Sequence, residues 1–240
     1  TTNGDPVPDH VQVTNSRNEV DMGHTSAVVG DVNGDGYNDY IVNAGLDQAE
    51  TGGIFQQGAV YLMFGSESVL PENFDVRTLT PEQGVVLTGT ENREVLGGTS
   101  REGSLNGQQG DSIFAHHSSI RGIGDINGDG IADFAVGSPY WGRPGQYVLN
   151  APGRVYVLFG REEGNDWTDL NLGSLANGTG GFIIRSYIND TNSNGQFGFS
   201  ISSGGDINGD GVDDFLIGGP ALDPAGGTDR GDVYCGDWHV

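Results

Sequence analysis

Asp31, Asn33, Asp35 and Asp39 occupy the first, third, fifth and ninth positions of a loop that begins at Asp31 within "GDVNGDGYNDY", and Gly36 occupies the sixth. Alternating oxygen-bearing side chains let a tightly curled backbone aim them at one centre, with glycine supplying the sharp turn and the seventh residue offering its carbonyl. The pattern recurs as Asp125, Asn127, Asp129 and Asp133, and again as Asp206, Asn208, Asp210 and Asp214. Three carboxylates and an amide held this close repel one another unless a cation neutralises them. A set of hard oxygens without His or Cys points to a hard cation, and its irregularity favours Ca²⁺ over the strictly octahedral Mg²⁺. About three bound Ca²⁺ ions are therefore expected, one per loop. The alternative is a solvated acidic turn closed by side-chain hydrogen bonds to its own backbone, and three matching copies weigh against it. An EF-hand is disfavoured because the twelfth position holds Val42, Val136 or Ile217 where that motif needs a bidentate Glu.

The elements that position these loops repeat with them. The three loops start at Asp31, Asp125 and Asp206, spacings of 94 and 81 residues. Each is followed by "IVNAG", "AVGSP" or "LIGGP", and then by "GAVYLMFG", "GRVYVLFG" or "GDVYCGD". Gly/Ser-rich stretches precede them: "MGHTSAVVG", "HHSSIRGIG" and "FGFSISSGG". A fourth type, apolar at alternate positions, occurs as "VVLTG" from Val85, "FIIRS" from Phe182 and "VQVTN" from Val11. These short runs, bounded by Gly, Pro, Asn or Asp, read as strands, and no segment has sustained helical periodicity.

The chain is thus expected to be all-β, built from about three four-stranded antiparallel propeller blades with the acidic loop between the first and second strands of each. The expected boundaries are an outer strand at 9–15, blades at 22–89 and 113–187, and a third blade at 197–240 that lacks its own outer strand. Three blades are too few to close a ring. Either further blades complete it, or two chains combine, exchanging the N-terminal strand. The start "TTNGDPVPDH", without Met, is read as a processed or excised product of a longer precursor.

Composition narrows the partners. The chain carries 33 acidic residues against 10 basic ones, all Arg, for a formal charge of −23. Such a surface repels phosphate backbones and anionic lipid, so nucleic acid is not expected as a partner. No apolar run is long enough to span a membrane as a helix. The single Cys235 fits a small strand residue and fixes no redox compartment.

The three loops, the "FG" of Phe197 and Gly198, and the "GSP" and "GGP" after the second strands resemble FG-GAP repeats, the blades of the integrin alpha-subunit propeller and its bacterial relatives. That resemblance implies a calcium-stabilised β-propeller, engaged in extracellular or cell-surface adhesion or ligand binding. It also implies that the carbonyls of Tyr37, Ile131 and Val212 join the side-chain ligands of their loops. The chain departs from the pattern at Met22-Gly23 in the first repeat, at His116-His117 in the second, and at Asn43, where "NAG" replaces "GAP".

Other candidate chemistry is sparse. No nucleophile elbow, zinc-protease motif, phosphate-binding loop or dinucleotide fingerprint occurs. His116 and His117 are adjacent on an expected strand and would face opposite ways. Carboxylates committed to Ca²⁺ stay ionised and serve poorly as general acids, which argues against a carbohydrate-active enzyme and for a non-catalytic module. Tyr140, Trp141 and Tyr147, in "PYWGRPGQY", form a possible ligand loop able to stack on sugars or anchor a protein, with packing against a neighbouring blade as the alternative. The "RGD" at Arg230 to Asp232 coincides with the start of a third strand, and the sequons at Asn177 and Asn189 lie in Asn/Gly-rich stretches. The expectation is a calcium-binding adhesion or interaction module whose ligand is a protein or a glycan. A lectin-like module and a structural subunit of a surface assembly are the alternatives.

Overall fold

The computed structural model describes residues 11–16, 22–44, 58–68, 70–91, 94, 96–97, 119–141, 152–162, 167–186, 195–220 and 231–236. His116, His117, Tyr147, Asn189 and Arg230 lie outside them.

Valine, isoleucine, leucine and aromatic residues in short runs favour extended backbone, and here they give sheets. In the first blade, β2 (Met22–Gly30), β3 (Asp39–Ala44), β4 (Ala59–Met63) and β6 (Gly84–Thr88) pair antiparallel in the order β2-β3-β4-β6. The second repeats this arrangement with β7 (Ile120–Gly124), β8 (Asp133–Ser138), β9 (Arg154–Leu158) and β11 (Gly181–Arg185). The third contributes β12 (Ser200–Gly205), β13 (Asp214–Gly219) and β14 (Asp232–Gly236) among the described residues. The chain is an all-β protein of propeller-type blades. In each blade the acidic loop joins the first strand to the second.

The apolar runs "AVYLM" and "RVYVL" are buried at every position because both faces of each sheet are covered. Successive strand residues point to opposite faces, so Tyr156 and Leu158 pack with Val60, Leu62, Ile41 and Phe134 between the first two blades. Val155 and Val157 pack on the other side with Ile201, Phe215 and Ile217 of the third. Burying a side chain of this size stabilises by roughly 1.5–3 kcal/mol, which makes these two interfaces the main cohesive contacts of the fold.

The N-terminal strand is placed differently from the expectation. Instead of completing the third blade or exchanging between chains, β1 (Gln12–Thr14) pairs parallel with β5 (Asn73–Asp75), an element of the 66–84 insertion. The reason is apolar cover: Phe74 and Val76 lie on the outward face of the first blade with Tyr61 and Met63, and Val11 and Val13 pack against that cluster. A second unforeseen strand, β10 (Leu170–Asn171), leaves the second blade and pairs parallel with β6 of the first. Its flank is fixed by Val86 N donating to Asp169 Oδ1 at 3.0 Å and Asn171 Nδ2 donating to Gly89 O at 3.0 Å.

The second repeat also begins earlier than "HHSSIRGIG" suggests. Gly198 N donates to Gly218 O at 3.1 Å, and Gly97 N donates to Gly137 O at 3.0 Å, the corresponding residue of the second blade. Both glycines adopt positive φ, +75° at Gly97 and +87° at Gly198, and both press against the preceding blade, at Asn43 and Gly137 respectively. Leu96-Gly97, not His116-His117, therefore stands where Phe197-Gly198 stands in the third repeat. The chain leaves after Gly97 and returns at Ser119, whose carbonyl accepts from Gly137 N at 2.6 Å. The insertion between them springs from two points held by one residue. Asn43 acquires a role here, its Oδ1 accepting from Thr25 N at 2.8 Å while its Nδ2 donates to Gly97 O at 3.2 Å.

Candidate functional site

All three acidic loops close in one way. The first-position carboxylate accepts amides from across the loop: Asp31 from Asp35 N and Gly36 N at 3.0 and 2.8 Å, and Asp125 from Gly128, Asp129 and Gly130 N at 2.8, 3.1 and 2.7 Å. Asp206 repeats this with Gly209, Asp210 and Gly211 at 2.6, 3.1 and 2.9 Å. The third-position Asn accepts from the amide of the fifth residue, and the fifth-position Asp from that of the seventh, at 2.8 to 3.1 Å in every copy. The loop's own amides thus hold the side-chain oxygens on the concave side.

The ninth residue is where loop meets core. Asp39 accepts from Val32 N and from Gly65 N at the start of the insertion, both at 2.8 Å, and Asp133 accepts from Ile126 N at 2.9 Å and Gly160 N at 2.8 Å. Asp214 accepts from Ile207 N at 2.8 Å. Asp39 and Asp133 are fully buried. Burial pushes the Asp39 carboxyl up to about 6 and that of Asp133 to about 7, against the pull of their two amide partners, and the carboxylates at positions one and five push the same way.

Among the described residues no three acidic, His or Cys side chains converge on one coordination point. The donor set is mixed, however: three carboxylates, one amide oxygen and one main-chain carbonyl per loop, with Oδ1 of Asp125 and of Asp206 each accepting two loop amides and Oδ2 of each accepting one. Such oxygen-only chemistry suits a hard divalent cation, and the neighbouring carboxylates add to the burial that chiefly raises Asp39 and Asp133. Asn33 is buried, whereas Asn127 and Asn208 are exposed, because the second blade covers the first loop: Arg161 N donates to Val32 O at 2.8 Å and the Glu162 backbone lies over Gly34. Tyr37 is 44% exposed, so its side chain is free of the core while its carbonyl lies in the loop.

Of the possible ligand loop, Tyr140 and Trp141 are described and Tyr147 is not. Tyr140 is buried and Trp141 half-buried. The Arg154 guanidinium lies 4.3 Å from the Trp141 ring centroid and 4.6 Å from that of Tyr156, and Arg185 sits 5.4 Å from Trp141. Arg154 in turn pairs with Glu94 at 2.8 Å, both fully or almost fully buried. Glu94 Oε1 also accepts from Tyr156 Oη, and Oε2 from Glu91 N at 3.1 Å and from Thr90 N. Trp141 thus packs on two arginines of its own blade, one of which is tied to the linker through Glu94. Asp232 pairs with Gly219 as the first residue of β14, which commits the backbone of the "RGD" aspartate to a sheet, and Asn177 is the exposed last residue of a 3-10 helix (Leu172–Asn177) that buries Leu172 and Leu175.

The FG-GAP repeat family matches the chain at residues 122–158 and 197–234. The chain carries FG-GAP repeats. The first match opens just after the insertion that separates Leu96-Gly97 from β7, and the first blade reproduces the same strand order and loop although it lies outside the matched ranges. Over 199 residues, 82% of its length, the chain is 30% identical to integrin alpha-IIb of Mus musculus, covering 14% of that protein. It is 35% identical over 116 residues to integrin alpha-PS2 of Drosophila melanogaster, 46% of this chain and 7% of that one. It is also 32% identical over 110 residues to phosphatidylinositol-glycan-specific phospholipase D of Rattus norvegicus, 46% of this chain and 12% of the relative. These FG-GAP repeats therefore span a small part of each relative's length.

Proposed function

We propose that this FG-GAP chain is a non-catalytic adhesion or protein-interaction module of the cell surface or extracellular space, with one structural Ca²⁺ in each of its three acidic loops. The observation that supports the metal reading is the threefold repetition of an acidic loop closed by its own amides, whose buried ninth carboxylate ties it to the core. Asp31, Asn33, Asp35, Asp39 and the Tyr37 carbonyl would hold the first ion. Their counterparts Asp125, Asn127, Asp129, Asp133 and Ile131, and Asp206, Asn208, Asp210, Asp214 and Val212, would hold the other two. A bound dication would supply positive charge that offsets carboxylate repulsion, and the fold would gain stability by mass action.

The likeness to integrin alpha subunits supports the interaction role, and the match to a phospholipase D covers only a small part of that enzyme. Recognition belongs on the end of the blades opposite the calcium loops, at the C-terminal ends of the second strands and the N-terminal ends of the third. Burial of Tyr140 and stacking of Trp141 on the Arg154 that pairs with Glu94 argue for a protein ligand over a lectin-like role for those aromatics. A glycan array tests this. Absence of binding is expected, and specific binding abolished by Trp141→Ala would overturn it.

A further inference from the structure

The three loops are not separate. Asp213, the eighth residue of the third loop, grips Asp125, the first residue of the second, from both sides: Asp125 N donates to Asp213 Oδ2 at 3.2 Å, and Asp213 N donates to Asp125 O at 3.4 Å. Asp125 is the residue on whose carboxylate the second loop closes, accepting three amides. At the equivalent joint between the second and first loops, Ala132 stands in place of Asp213. Its amide donates to Asp31 O at 3.2 Å, and its methyl has no acceptor for Asp31 N. Sequence records this difference plainly, as "DGIADF" against "DGVDDF".

Glycine before each first-position Asp makes the joint possible. A Cβ at Gly124 would collide with the Asp213 carboxylate, and one at Gly30 would lie 2.6 Å from the Ala132 Cβ. The Asp213 side chain therefore occupies a slot built by the second blade rather than open solvent. It is an acidic residue held 3.2 Å from the main chain of another blade's loop, and it spends its carboxylate on that amide.

We infer that Asp213 is a positioning residue that couples the third loop to the second, so that the two take up calcium cooperatively. The inference rests on the calcium reading above. Its physical content is as follows. Asp213 lies one residue before Asp214, whose carboxylate holds Ile207 N at 2.8 Å, so whatever orders the third loop orders residue 213. An ordered residue 213 fixes both main-chain groups of Asp125 and with them the orientation of the carboxylate that closes the second loop. Part of the ordering cost of the second loop is then already met when the third is filled, which is positive coupling between sites. By linkage the second loop must help the third by the same factor.

Site-resolved titration of the ¹⁵N-labelled full chain with Ca²⁺ tests this, because the Gly128 and Gly130 amides report on the second loop and those of Gly209 and Gly211 on the third. Asp206→Ala, which disables the third loop without changing the Asp213 side chain itself, is expected to raise the calcium midpoint of the second loop about tenfold, within the ordinary span of intersite coupling. Asp213→Ala should do the same. Asp213→Asn, which keeps an oxygen acceptor, should recover most of the loss. Asp129→Ala in the second loop should shift the third-loop midpoint by a matching factor, which a merely local packing defect would not do. Second-loop midpoints indifferent to Asp206→Ala and Asp213→Ala would overturn the coupling while leaving calcium binding intact. Independent wild-type midpoints with a Hill slope of one would also overturn it. If no loop amide of the wild-type chain responds to calcium, the calcium reading itself fails.

Discussion

At the residue scale the decisive groups are Asp39 and Asp133, carboxyls buried at the base of their loops and pushed up to about 6 and about 7. An unfolded aspartate titrates near 4, so between about pH 4 and 7 the folded chain without metal binds more protons than the unfolded one. The stability these two carboxyls contribute is therefore fully present below about pH 4 and is lost as pH rises through about 6 to 7. Denaturant melts in EDTA at pH 5 and pH 8 check this, the expected outcome being a higher midpoint at pH 5. Calcium demands the ionised carboxylates, so its affinity should run the other way and weaken below pH 7. Asp133→Ala would strand the buried amides of Ile126 and Gly160 at roughly 1–3 kcal/mol each. Urea unfolding in EDTA should register a loss of that order, and a larger one in calcium, because Asp133 is also a proposed ligand.

At the scale of elements, the strands and loops were legible because their signals are local: alternating oxygens, glycine at the turn, and short apolar runs bounded by turn residues. What was not legible was contact between elements distant in sequence. The second repeat's Leu96-Gly97 is split from β7 by an insertion, so continuity with "HHSSIRGIG" suggested His116-His117 in its place. A trace existed in "LGGTS", which matches "MGHTS" and "FGFSIS" in opening on an apolar residue and glycine. Glu94 carried no such trace, since a lone acidic residue in a polar linker reads as solvated until Arg154, Tyr156 and Thr90 are seen around it. Trp141 looked like part of a recognition loop for the same reason, its ring lying against that arginine. Removing one partner of a buried ion pair costs about 3–5 kcal/mol. Glu94→Ala should therefore lower the thermal midpoint by several degrees, whereas Glu67→Ala, at an exposed position, should leave it within about one degree. Differential scanning calorimetry distinguishes the two.

At the scale of the whole molecule, blades pack face to face, and adjacent loops are stitched by main-chain bonds from Ala132 to Asp31 and from Asp213 to Asp125. A net charge of −23 opposes this assembly. Three dications would reduce its magnitude to 17, because 23 less three times two leaves 17, and would do so at the loops where negative charge is densest. Metal and fold are therefore expected to be linked. The most direct measurement is the thermal midpoint of the full chain in EDTA and in millimolar CaCl₂ at pH 7.5. The account predicts a midpoint that climbs with calcium concentration as saturable binding requires. An unchanged midpoint across that range would contradict it.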